Sequence, residues 1–186
     1  MDREVSTRKP RLATVWLGGC SGCHMSFLDL DERLLDLAAQ VEFCASPLTD
    51  FKDFPEADIT LVEGAVANEE HLATIRKVRE RTKILVSLGD CAVTGNVTAL
   101  RNTFGLEDVL NRAYRETSAV VIGIPGGAGG PGSIVPRLLE RVRPVHEIVK
   151  VDYFLDGCPP SANAIHELVT ALLAGKAPAA SGQRFG

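Results

Sequence analysis

No run of apolar residues in this chain approaches the ~18 that a bilayer span requires, so a membrane-spanning role is not expected. The charged N-terminal MDREVSTRKPR is followed by only a short apolar run, which falls short of the h-region of a secretory signal. Lysine and arginine nowhere gather into a cluster that could track phosphates, and the net charge is -4, so nucleic acid is not an expected partner. Internal repeats are missing as well. A disulfide framework fits badly, because the five cysteines are odd in number and the chain is not small. These absences leave a soluble, cytoplasmic protein in which spaced cysteines serve as ligands or catalysts.

What is present suits one ordinary domain. A length of 186 residues supports a full core but would make two domains cramped. The apolar fraction of 45% and a mean hydropathy of +0.08 imply a generous core or apolar surface buried against a partner. Residues 11–175 read as the domain, with 1–10 an extension and 176–186 a tail.

Strand-like and helix-like stretches alternate along those residues. LATVWLG (12–18) predicts a first strand, and Phe27, Leu30, Leu34, Leu37 and Ala38 form the apolar stripe of a helix over 24–40. VEFCAS (41–46) follows, then ADITLVEGAV (57–66) as a buried strand. NEEHLATIRKVRERT (68–82) predicts a helix opened by Asn68, with acids in its first turn and bases in its last. KILVSLGD (83–90) is another buried strand, 92–117 reads as short helices and loops, and HEIVKVDYFLDG (146–157) supplies a last strand. SANAIHELVTALLAG (161–175) closes the chain as a helix capped by Ser161. Apolar strands separated by helices predict an α/β fold, an open parallel sheet with helices on both faces.

Open parallel sheets place their sites at the carboxyl ends of the strands. Cys20 and Cys23 follow the first strand, Cys91 follows KILVSLGD and Cys158 follows VKVDYFLDG, so all four can meet at one edge. Cys44 lies inside a strand and reads as a small buried hydrophobe. A C-x-x-C pair with two remote cysteines suits an iron–sulfur cluster, with Gly18, Gly19, Gly22, Gly89 and Gly157 letting backbone approach the sulfurs. Two other chemistries stay open. Structural zinc also takes four cysteines, though usually as two knuckles in a small module. A thiol–disulfide enzyme would use Cys20 and Cys23 alone.

The motifs V-W-L-G-G-C-S-G-C, L-V-E-G-A-V, G-D-C-A and D-G-C-P-P occur in that order, and C-S-G-C-H-M-S-F-L-D-L-D is followed by S-P-L-T-D. In these residues the chain resembles the small subunit of NiFe hydrogenases, specifically the short form of cytoplasmic NAD-reducing hydrogenases, over about residues 11–175. The resemblance implies a flavodoxin-like fold with one 4Fe–4S cluster on Cys20, Cys23, Cys91 and Cys158. It implies a large NiFe-containing partner and iron–sulfur and flavin diaphorase subunits that reduce NAD, so the NiFe centre and NAD belong to other chains. A NiFe hydrogenase with another acceptor remains the alternative within the family. Gly22 and Asn96 stand where oxygen-tolerant membrane-bound relatives carry extra cysteines, which implies an ordinary cubane. The related quinone-reductase subunit has adjacent cysteines at its first motif, whereas this chain has a spaced pair. The resemblance also places Glu63, which ends the third strand, beside the cluster; otherwise it is a solvated or hydrogen-bonded strand-end carboxylate.

Several residues invite readings that compete. His24 follows Cys23 and could be a ligand or proton carrier, but four thiolates complete a cluster, and it reads better as a residue opening a helix. His71 and His166 look like helix-surface residues, and His146 precedes a strand. Trp16 belongs to the core or to an interface. Gly127, Gly129 and Gly132 match G-x-G-x-x-G with Asp152 about 20 residues on, near a dinucleotide fingerprint. Pro131 and Pro136 fall where the phosphate-binding helix should start cleanly, so an exposed or partner-facing loop is preferred there. FMN is suggested only by the flavodoxin-like fold.

Overall fold

Strands whose alternate residues are both apolar must be covered on two sides, and the computed structural model of the chain shows how. It describes residues 8–49, 53–114, 116 and 135–178. Five strands, β1 (Arg11–Trp16), β2 (Glu42–Ala45), β3 (Ala57–Glu63), β5 (Thr82–Leu88) and β7 (Tyr153–Leu155), form one sheet in the order β2-β1-β3-β5-β7. Every pairing in it is parallel. This is the flavodoxin-like order, in which the crevice lies between β1 and β3, where the winding reverses.

Side-chain alternation divides the core in two. Leu12, Ile59, Leu61, Val86 and Leu88 pack on one face with Phe27 and Leu37, and with Ile165, Leu168, Val169 and Leu172. Val15, Val62 and Leu85 pack on the other with Ile75, Val78, Ala92 and Val145. The helices involved are α1 (Gly22–Leu28), α2 (Arg33–Gln40) and α7 (Ala162–Leu173) on the first face, and α3 (Glu69–Glu80) and α4 (Asp90–Thr94) on the second. Asn68 caps α3 by accepting from the His71 N–H, and Ser161 caps α7 by accepting from Ala164 N–H, as the sequence predicts. Each such cap is worth about 1 kcal/mol.

Three expectations are corrected. The helix over 24–40 is two helices, because Asp31 adopts a left-handed φ of 51° and Leu30 turns into the core between them. The strand over 57–66 stops at Glu63. Gly64 takes φ 87°, a conformation open to glycine, and Val66–Asn68 becomes a separate short strand, β4. β4 pairs antiparallel with β6 (Leu138–Arg143), a strand the sequence reading did not anticipate. The long last strand shrinks to β7, preceded by a single 3-10 turn at Val145–Glu147. The middle of the chain is, as expected, short helices: α4, α5 (Asn96–Ala99), a 3-10 turn (Leu100–Thr103) and α6 (Leu106–Tyr114). The glycine-rich 126–132 stretch lies outside the described residues, as do residues 1–7 and 179–186 of the extension and tail. No helix among the described residues is long and apolar enough to cross a membrane.

Candidate metal centre

The loops after β1, β5 and β7 all open at the same edge of the sheet, so the fold delivers Cys20, Cys23, Cys91 and Cys158 to one corner. Cys23 is buried in the first turn of α1, Cys91 is half-buried in α4, and Cys20 and Cys158 are exposed. All five cysteines are free thiols. Cys44 stays apart, buried in β2, and donates to the Leu12 carbonyl at 3.5 Å.

Proximity registers in the Cys23 thiol. Its pKa is pushed far above the ordinary range by burial first, then by the Glu63 carboxylate, then by Cys91, Cys20 and Cys158. Ionising such a set of thiols beside a carboxylate is self-repulsive, and a multiply positive metal centre is the partner that relieves it. No three His, Cys, Asp or Glu side chains among the described residues are placed to hold one metal ion. A lone zinc would need all its sulfurs about 2.3 Å from a single point. Four thiols from separate loops are a donor set that either metal chemistry can use. Gly89 belongs to the same corner: a Cβ there would collide with Cys23 Sγ, so glycine keeps the floor of the corner clear.

Three side-chain bonds lock the loops together. Asp90 Oδ1 accepts from Gly157 N–H at 2.6 Å while the Asp90 N–H donates to Gly157 O at 2.9 Å, tying the Cys91 and Cys158 loops. Ser26 Oγ donates to Pro160 O at 2.5 Å, tying α1 to the Cys158 loop. Asn96 Nδ2 donates to Cys158 Sγ at 3.4 Å. Ser26 and Asp90 stand within the quoted motifs and Asn96 where relatives carry a cysteine, but the sequence does not show these contacts. An aspartate directly before a strand-end cysteine was the one available signal.

Glu63 is a buried, hydrogen-bonded carboxylate rather than a solvated one, at 2% exposure. Its Oε2 accepts from the His24 backbone N–H at 2.9 Å and lies 2.5 Å from His24 Nδ1. His24 does open α1, as the sequence suggests, but its ring is buried and stacks edge-on against Trp16 at 5.1 Å. Trp16 itself is partly exposed. Of the other histidines, His166 is half-buried on α7 and His146 is exposed in the 3-10 turn. His71, like His166, is half-buried rather than a surface residue; Ala67 N–H donates to its Nδ1 at 3.3 Å, and burial pushes its pKa down. Asp152, the acid of the possible dinucleotide fingerprint, is engaged by Arg79 at 2.6 Å and by the Leu85 N–H at 2.8 Å.

Comparison with known proteins shows the family and the fold. Residues 20–172 match the family described as NADH ubiquinone oxidoreductase, 20 Kd subunit. The chain is 45% identical to the NAD-reducing hydrogenase HoxS subunit delta of Cupriavidus necator, over 90% of this chain and 80% of that one. It is 38% identical to a subunit of the F420-non-reducing hydrogenase of Methanothermobacter marburgensis, over 90% of this chain. It spans about half of that relative, 54% of its length. A chain of the crystal structure of an NAD+-reducing [NiFe]-hydrogenase in the H2-reduced state superposes with a TM-score of 0.88 at 44% identity, covering 96% of this chain and all of that one.

Proposed function

The chain belongs to the family described as NADH ubiquinone oxidoreductase, 20 Kd subunit, and within it to the small subunits of NAD-reducing NiFe hydrogenases; on that premise we propose that it holds one 4Fe–4S cluster and carries electrons. Cys20, Cys23, Cys91 and Cys158 are the ligands in this reading. The observation that carries it is that the loops after β1, β5 and β7 bring all four thiols to the carboxyl edge of the sheet, where Glu63 ends β3. A cluster bound there supplies one-electron storage and release. The chain's own residues grip and shield: Asp90 and Ser26 fix the ligand loops, Asn96 offers a donor to one sulfur, and Gly89 leaves room.

Hydrogen splitting then falls to a large NiFe-containing subunit, and NAD reduction to iron–sulfur and flavin diaphorase subunits. In support, the exposed apolar residues Met25 and Leu28 on α1, and Val97 and Leu100 beside Asn96, adjoin the cysteine loops as partner-facing surface would. A NiFe hydrogenase with a different acceptor is the variant of this reading, since the acceptor is chosen by other chains and the F420-non-reducing relatives share this subunit type. The cytoplasm, where thiols remain reduced, is the fitting compartment.

Iron and acid-labile sulfide analysis, with an anaerobic EPR spectrum of the protein copurified with its partners, tests the assignment. Cubane stoichiometry and a reduced-cluster signal are expected in the wild type and in Cys44→Ala, and their loss in Cys91→Ala and Cys158→Ala. A colourless, iron-free protein indifferent to those last two substitutions would instead support a thiol–disulfide enzyme.

A further inference from the structure

Buried beside the cysteine corner is an acid–base pair that the ligand set does not require. Glu63 and His24 are 2% and 3% exposed, and among the described residues no third charged group engages them in an ion pair. Both polar hydrogens that His24 can direct at Glu63, one from the backbone and one from Nδ1, go to the single oxygen Oε2. A carboxylate only accepts, so Nδ1 is the ring nitrogen that carries the hydrogen. The other nitrogen, Nε2, is buried and has no partner among the described residues. The polar commitment of the ring is therefore to Glu63 alone, while Trp16 closes over its flank. His24 is covalently next to Cys23, and Glu63 follows burial as the strongest influence on the Cys23 thiol. The clasp thus joins the end of β3 to the turn that presents a ligand.

Building on the cluster reading above, we propose that His24 is a positioning residue for Glu63: its two N–H groups hold the carboxylate at a fixed place beside Cys23, and the charge so placed sets the reduction potential of the cluster. A negative charge held in a buried site disfavours adding an electron nearby. Donors to that charge offset part of it, so the ring weakens the influence of Glu63 without removing it.

The test is redox-titrated EPR on the intact complex, with iron and sulfide measured on every variant. Glu63→Gln removes the charge and should favour the reduced cluster about tenfold, which is 59 mV for one electron. His24→Ala removes the ring donor and should shift the equilibrium about threefold the other way. His24→Asn, which carries an amide N–H in place of Nδ1–H, should restore the native midpoint. In the Glu63→Gln background His24→Ala should add nothing, because it acts through the missing carboxylate. The inference is overturned if Glu63→Gln with full iron keeps the native potential, or if His24→Ala shifts it equally in both backgrounds. Should Glu63→Gln arrive without iron, the other pair decides: a shifted His24→Ala with a native His24→Asn supports the clasp, and two native potentials overturn it. A wild-type complex lacking iron and sulfide overturns the cluster reading and this one together.

Discussion

The two ends of the parallel sheet treat charge in opposite ways. At the amino ends of the strands, Asp58 on β3 is met by Lys83 at 2.7 Å, Arg8 at 3.3 Å and the Arg11 N–H at 2.7 Å. At the carboxyl ends, four thiols and a buried glutamate crowd together, and among the described residues the basic side chain that meets Glu63 is a histidine. The first arrangement is complete as it stands: acids sit opposite cations and the partners reach into water. The second gathers four thiols and a carboxylate, and among the described residues no lysine or arginine pairs with Glu63. A folded chain retains such an imbalance where something positive is to be bound.

The sharpest way to break the comparison is to fill the space that the carboxyl edge keeps clear. Gly89 has φ 79° and ψ 162°, a region that side chains scarcely enter, and a Cβ on it would collide with Cys23 Sγ. Gly89→Ala should cost roughly 3 kcal/mol, combining backbone strain with overpacking. Denaturant unfolding checks this, and the complex should retain little iron. Native stability with full iron would mean that this edge is as tolerant as the other.

Ser26→Ala is a milder cut at the same edge. It leaves the Pro160 carbonyl without its 2.5 Å donor in a buried setting, which costs about 1–2 kcal/mol. The ligands remain, so iron should still bind, but a chelator should strip it several-fold faster because the Cys158 loop is no longer tied to α1. Unchanged chelation kinetics would show that the loops hold their places unaided.

The contrast between the edges was legible in the sequence only on one side. Cysteines just past apolar strands can be placed on the carboxyl edge by the winding of the fold, and Cys44 within a strand can be set aside, with no knowledge of contacts. Glu63 was visible as a strand-end acid in the same crevice. Its partner was not, because His24 could be assigned to the start of a helix by its place in the chain, whereas the direction of its ring depends on where β3 ends. That end is set by Gly64, whose left-handed φ of 87° turns the chain out of β3. The ties made by Ser26, Asp90 and Asn96 span 134, 67 and 62 residues of sequence, and no local pattern announces contacts at such separations. The split of the 24–40 helix has the same origin: Leu30 keeps the apolar period while the backbone at Asp31 departs from it.

The smallest effect belongs to the amino edge, and pH exposes it. Burial acts to raise the Asp58 carboxyl, but the hydrogen bonds from Lys83 and the Arg11 N–H and the charges of Lys83 and Arg8 outweigh it and hold the group below its usual range. A carboxyl depressed in the folded state contributes stability that is present above its unfolded pKa, near 3.9, and is lost as the pH falls through the lower folded value. Arg8 and Lys83 are largely exposed, so solvent screens both pairs and the whole contribution is about 1 kcal/mol. Asp58→Asn should therefore lower stability by about that amount at pH 7. The gap to wild type should narrow as acid protonates Asp58, and high salt should narrow it too, since these charges face water. Iron content should not change, because Asp58's partners, Arg8, Arg11 and Lys83, lie at the opposite end of the strands from the cysteine loops. A loss of iron in Asp58→Asn would show that the two ends of the sheet are coupled after all.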